Sequence, residues 1–128
     1  MPKEVIKTDN APSPIGPYNQ AIIANGFVFA SGQVALNPET GELVLSSIQA
    51  ETHQVMKNVQ AVLAEAKVSL EHVVKTTIFL SDMALFAQVN EVYGSYFSSQ
   101  FPARETVAVK GLPRGVNVEI SVTAVVVL

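Results

Sequence analysis

Residues 73–97 read VVKTTIFLSDMALFAQVNEVYGSYF, and two hydrophobic periods meet inside them. The first nine residues are β-branched and apolar on both faces, which predicts a buried strand. Beyond Asp82, a plausible helix cap, residues Leu85, Phe86, Val89, Val92, Tyr93, Tyr96 and Phe97 fall on one helical stripe. Downstream, FPAR (101–104) opens a strand over 104–110, LPRG (112–115) turns the chain, and 116–128 forms a last strand. Upstream, AIIA (21–24) and FVFA (27–30) flank Asn25-Gly26, the strongest short signal for a β-hairpin. NPETGE (37–42) is a second turn leading to the apolar run LVL (43–45). Over 46–67 the period becomes helical, with Ile48, Val55, Met56, Val59, Val62, Leu63 and Ala66 on one face and a capping box from Ser46 and Gln49. The order is β-β-β-α-β-α-β-β. Two helices against one mixed sheet make an α+β sandwich, built as a single domain over residues 1–128.

Hydrophobic residues make up 48% of the 128 residues and charged residues 15%, against about 25% charged in ordinary soluble domains. A small domain so poor in charge exposes apolar surface unless it pairs with copies of itself, so a homo-oligomer is expected. The last strand, ending VTAVVVL, is apolar on both sides and calls for the same cover. The net charge of −3 and eight scattered Lys and Arg offer no footprint for nucleic acid. The absence of cysteine excludes disulfides, thiolate nucleophiles and cysteine-based zinc sites. Neither a signal-peptide core nor a membrane span is visible, so the expected location is cytoplasmic with no membrane partner.

His53 and His72 stand too far apart for a local ligand pair, and no metal site is expected. There is no G-x-S-x-G elbow, no phosphate-binding P-loop and no dinucleotide fingerprint, and Asp9 and Asp82 are the only aspartates. Chemistry here must be free of cofactors and use Arg, Glu, Tyr, Asn, Ser and backbone groups.

Among those groups Arg104 draws attention, since a strand entering a core at FPARETVAVKG does not need a guanidinium. Alternation puts Arg104, Thr106 and Ala108 on one face of their strand and sends Glu105 to the other. In the last strand Val118, Ile120, Val122 and Ala124 share a face, leaving Glu119 mid-strand on a polar row with Asn117, Ser121 and Thr123. If these two strands pair through LPRG, their register decides whether Arg104 meets Glu119. The pair then reads as a structural ion pair or as a catalytic one. Asn90, at the margin of the second helix's stripe, is a packing residue or a ligand contact. Tyr18, in IGPYNQ, is a packing anchor or a cleft residue, and Ser31-Gly32 is a bulge or a point of close approach for a ligand.

The segments APSPIGPYNQA (11–21), FASGQVALNPETGE (29–42), VVKTTIFLSDMALFAQVNEVYGSYF (73–97), FPAR (101–104) and LPRGVNVEI (112–120) are together similar to the Rid/YjgF family of reactive-intermediate deaminases. The resemblance is collinear over nearly the whole chain. It implies a chorismate-mutase-like fold, a homotrimer with sites between subunits, and cofactor-free hydrolysis of 2-imino acids. The implied substrates are 2-iminopropanoate, formed from 2-aminoacrylate, and 2-iminobutanoate, both released by pyridoxal-phosphate dehydratases. In that frame Arg104 grips the substrate carboxylate and Glu119 orients the attacking water. Tyr18 enters from a neighbouring subunit, Asn90, Ser31 and Gly32 line the pocket, and Thr106 supplies a backbone carbonyl where many members have cysteine. Two other readings use the same residues: a non-catalytic sensor of 2-keto acids, and a ribonuclease or translation inhibitor, against which the acidic balance argues.

Overall fold

The computed structural model of the chain describes residues 2–127. Six strands form one sheet: β1 (Glu4–Ile6), β2 (Ala21–Ala24), β3 (Phe27–Gln33), β4 (Val73–Leu80), β5 (Ala103–Ala108) and β6 (Val118–Val125). Two helices, α1 (Ile48–Glu65) and α2 (Phe86–Gly94), complete the α+β architecture. The spatial order is β1-β2-β3-β6-β4-β5, antiparallel except for the parallel pair β4–β5. A parallel pair needs a crossover, and α2 supplies it.

Local chemistry explains most of these elements. Asn25 and Gly26 take φ of 52° and 85°, the left-handed pair that a two-residue hairpin between β2 and β3 demands. The Ser47 hydroxyl accepts the amide of Ala50 at 3.0 Å and starts α1, so the cap is one residue later than Ser46 and the helix is shorter than 46–67. Asp82 accepts the amide of Ala84 at 2.9 Å and caps a short 3₁₀ turn that runs into α2. Tyr96 and Phe97 lie beyond α2, in tight turns after Gly94, yet still pack against the core.

The order of elements agrees with the sequence reading, but one strand does not. The run 43–45 is no strand: Leu43 makes only an isolated bridge to Leu36. The additional strand is β1, three residues long and therefore without a legible alternation, antiparallel to β2. The last strand spans Val118–Val125 rather than 116–128, and Leu128, like Met1, lies outside the described residues.

Both helices cover the same face of the sheet. Val55, Met56, Val59, Val62 and Leu63 of α1 are at most 1% exposed, and they meet Val28, Ile78, Leu80, Val118 and Ile120 from the strands. Each such side chain contributes about 1.5–3 kcal/mol by leaving water. The other face is uncovered in the isolated chain, and Val5, Phe27, Phe29 and Val107 remain 39–51% exposed on it.

The long connection between β1 and β2 is held by one buried side chain. Gln20 accepts the amide of Thr8 at 2.7 Å and donates to the carbonyls of Thr8, Ala11 and Pro12 at 3.0, 3.3 and 2.8 Å. Replacing Gln20 by Leu keeps the volume and strands a buried amide and three carbonyls. The expected loss is about 2–4 kcal/mol in urea unfolding.

Candidate functional site

Arg104 stands on β5, which has a single neighbour and leaves its other edge free. Its partner in register is Thr76, whose hydroxyl pairs with the Tyr93 hydroxyl of α2 at 2.9 Å, so Arg104 points to the helical side of the sheet. There its Nη1 donates to Asn90 Oδ1 at 2.7 Å. The guanidinium lies 5.5 Å from the Phe86 ring centroid and 5.3 Å from that of Tyr93. Two aromatic rings and one amide fix its plane, and four of its five N–H groups stay free of Asn90. Burial pushes the Tyr93 hydroxyl above its usual pKa, partly offset by its bond to Thr76 and by the Arg104 charge. Arg104, Asn90 and Tyr93, together with Gly94, Phe101 and Pro102, line a cleft of about 440 Å³.

Glu119 belongs to a different cluster. It lies between Val118 and Ile120, both fully buried against the helices, so alternation turns it to the uncovered face. Its carboxylate sits against Gly32, within a register shift of β3 between Ala30 and Gln33, where the backbone bulges. A Cβ at Gly32 would come within 2.8 Å of Glu119 Cδ, so only glycine leaves room for this side chain. Burial raises the Glu119 pKa above the usual carboxylate range. Ser31 spends its hydroxyl on the carbonyl of Asn19 at 2.6 Å and its amide on that of Gln20, tying the Tyr18 loop to the bulge. Tyr18 and Gly32, with Ile15, Gln33, Pro113 and Arg114, line a second cleft of about 340 Å³.

The candidate residues therefore fall into two separate clusters, which corrects one expectation. β5 and β6 do not pair through the LPRG turn, because β4 runs between them, with Phe79 opposite Glu119 and Thr76 opposite Arg104. Within one chain Arg104 and Glu119 are separated by two strand spacings and by three residues of register, roughly 14 Å between backbones, and they face opposite sides of the sheet. They make no ion pair. Thr106 shares Arg104's face, and its buried hydroxyl has no hydrogen-bond partner among the described residues. Glu105 does not compete for Arg104. On the opposite face it accepts from Thr77 at 2.8 Å and pairs with Lys75 at 3.1 Å, contacts that lower its pKa. Among the described residues no group of three His, Asp or Glu side chains converges as a metal site, and no helix is long and apolar enough to cross a membrane.

Sequence reasoning missed Arg114 as a cleft residue. The signal lay in LPRG, where Arg114 precedes glycine in a tight turn and takes φ of 58°.

Comparison with known proteins adds an independent line. The family model described as Endoribonuclease L-PSP matches residues 8–126. The crystal structure of YyfA from Yersinia pestis, described as a member of the Rid protein family, superposes with a TM-score of 0.95 at 52% identity, covering 98% of this chain and all of that one. Reactive Intermediate Deaminase A of Arabidopsis thaliana, a chloroplast protein, is 47% identical over 95% of this chain and 65% of its own length. The crystal structure of E. coli TdcF with bound serine matches with a TM-score of 0.91 at 37% identity, covering 95% of this chain and 98% of that one.

The raised pKa of Glu119 has a thermodynamic consequence. Because the folded state holds this proton more tightly than the unfolded chain, the associated stability is whole below the unfolded value of about 4.3 and is lost as pH rises through the higher folded value. Glu119→Gln cannot ionise and keeps that stability at every pH. Its melting temperature should exceed the wild type's at pH 8, with the difference vanishing below pH 4.

Proposed function

The chain belongs to the Rid/YjgF family, matched over residues 8–126, and on that footing we propose that it is a hydrolytic deaminase of 2-imino acids. The observation that carries this reading is the guanidinium of Arg104, held by Asn90, Phe86 and Tyr93 at the mouth of a cleft where no carboxylate of the described residues satisfies it. A planar fork of N–H donors suits a planar carboxylate bound through both oxygens. The deaminase name of the Arabidopsis relative and the serine held by the E. coli relative, itself a small carboxylate, support the same class of ligand.

The reaction needs little more than a clamp, a water and a base. A protonated imine, R–C(=NH2+)–COO−, is already electrophilic. Water attacks the imine carbon while Glu119 takes one of its protons, giving the carbinolamine R–C(OH)(NH2)–COO−. The proton then passes to the amine, the C–N bond breaks, and the hydroxyl proton leaves, so the products are the 2-keto acid and ammonium. A carboxyl whose pKa is raised by burial is a better base near neutral pH than an exposed one. Positioning and electrostatics suffice for such chemistry. The substrates are 2-iminopropanoate and 2-iminobutanoate, supplied by pyridoxal-phosphate dehydratases acting on serine and threonine. Tyr18, Ser31, Gly32 and the Thr106 carbonyl shape the rest of the pocket.

A site that uses both Arg104 and Glu119 requires two copies of the chain. The uncovered sheet face, with Phe27 and Phe29 at 39% and 49% exposure, and the free edge of β5 are the surfaces a homotrimer would bury. The family model is described as an endoribonuclease, but eleven acidic against eight basic residues give no stripe for a phosphate backbone.

In an assay where threonine dehydratase releases 2-iminobutanoate in the presence of semicarbazide, the protein should suppress semicarbazone formation. Arg104→Ala should lower kcat/KM by about 30-fold or more, since losing a charge-assisted bidentate contact to the substrate carboxylate costs roughly 2 kcal/mol or more, and Arg104→Lys should recover only part of it. Full activity in Arg104→Ala overturns the clamp. A folded wild type that binds 2-keto acids without suppressing semicarbazone points to a sensor. Light scattering should return three times the 13.7 kDa of one chain.

A further inference from the structure

Glu51 is a carboxylate that the reaction above does not use. It sits in the first turn of α1 at 1% exposure, deeper than any other charged residue described, and no cation pairs with it among the described residues. Its partners are all N–H donors from the entry to β6. Oε2 accepts the backbone amides of Asn117 at 2.7 Å and Val118 at 3.1 Å, and Oε1 accepts Nδ2 of Asn117 at 2.9 Å. Asn117 passes the restraint on. Its carbonyl accepts the amide of Ser81 at 2.9 Å and its Oδ1 the hydroxyl of Ser81 at 3.0 Å, at the end of β4. One side chain thus ties α1, the exit of β4 and the start of β6.

A buried carboxylate is an expensive way to hold a strand, and apolar packing would hold it at lower cost. What this position needs is direction. The residues before Asn117 form a tight turn with two left-handed residues, Arg114 (φ 58°) and Gly115 (φ 71°), closed only by backbone bonds of 3.1 and 3.3 Å. Pro113 and Arg114 of that turn line the cleft shared by Tyr18 and Gly32. The residue after Val118 is Glu119. Two consecutive backbone amides bound to a single oxygen fix the rotation of the strand as it enters, and so decide which way the next side chain leaves.

The geometry points to Glu51 as a positioning residue of the deaminase site, one that sets the placement of the Glu119 carboxylate and of the Arg114 rim from behind the sheet. This rests on the function proposed above. Arg104 lies two strands away, so Glu51 acts on the water-activating half of the site and leaves the carboxylate clamp untouched.

The test is a swap of donor and acceptor. In Glu51→Gln the side-chain oxygen still accepts the two backbone amides, but the new NH2 meets Nδ2 of Asn117, so the Asn117 amide must turn over and give up the oxygen that accepts the Ser81 hydroxyl. kcat should fall about 10- to 100-fold, with KM within about threefold, because misplacement of reacting groups by an ångström has an effect of that size. In Glu51→Gln with Asn117→Asp the new NH2 donates to the carboxylate introduced at position 117, which still accepts the Ser81 hydroxyl. kcat should return to within about threefold of wild type. If Glu51→Gln only lowers the melting temperature while kcat stays unchanged, or if the double variant is no better than the single one, the positioning role is wrong. Carbon-13 NMR of the Glu119 carboxyl reads the same displacement without turnover: its titration should move in Glu51→Gln and return in the double variant. An inactive wild type would overturn the deaminase reading alone, and the NMR result would still decide whether Glu51 places Glu119. An unmoved titration overturns the inference.

Discussion

The architecture depends on β4 running between β6 and β5. That placement makes the β4-α2-β5 crossover necessary, sets α2 beside the strand that bears Arg104, and puts two strand spacings between Arg104 and Glu119. Side-chain alternation does the rest. Residues in register across β6, β4 and β5 share a face, so Val118, Ile120, Ile78, Leu80 and Arg104 look toward the helices, while Glu119, Phe79, Thr77 and Glu105 look away. The same rule that buries the core divides the candidate residues between two faces.

Each cluster is preorganised by different physics. On the helical side, aromatic rings and an amide hold a charged plane in place, and the charge stays near water at the mouth of its cleft. On the open side, a backbone bulge at Gly32 makes room for a carboxylate among apolar strands, and partial burial raises its pKa. Behind the sheet, a carboxylate without a cation anchors the strand that carries it. Lys75 pairs with Glu105 on the open face, so the carboxylate next to Arg104 in sequence is held by its own partner away from the guanidinium.

What could be read from the sequence follows the range of each interaction. Asn25-Gly26, the helical stripe of α1 and the change of period at Asp82 act over a few residues, and the local pattern carried them. β1 is too short to show alternation, and the apolar run at 43–45 looked more like a strand than β1 does. The candidate residues of both clusters were identifiable by type and motif, but their division between two faces was not. It follows from which strands are neighbours, and LPRG invited the wrong pairing of β5 with β6. Glu51 was invisible for a related reason. An acidic residue in the first turn of a helix normally serves the helix dipole from the surface, and only the fold shows that its donors come from 66 residues further along the chain.

Gln20 carries a consequence for how such chains can change over time. Its amide reads backbone groups at positions 8, 11 and 12 together, so the arm between β1 and β2 is measured to the residue. A one-residue insertion there would shift every carbonyl past its donor and turn Tyr18 out of its cleft. The turn at 37–42 is exposed at its tip and closed largely by bonds of its own, from Asn37, Thr40 and Glu42. Length variation among descendants of this sequence should accumulate in that turn and be purged from the arm, although both look like surface loops.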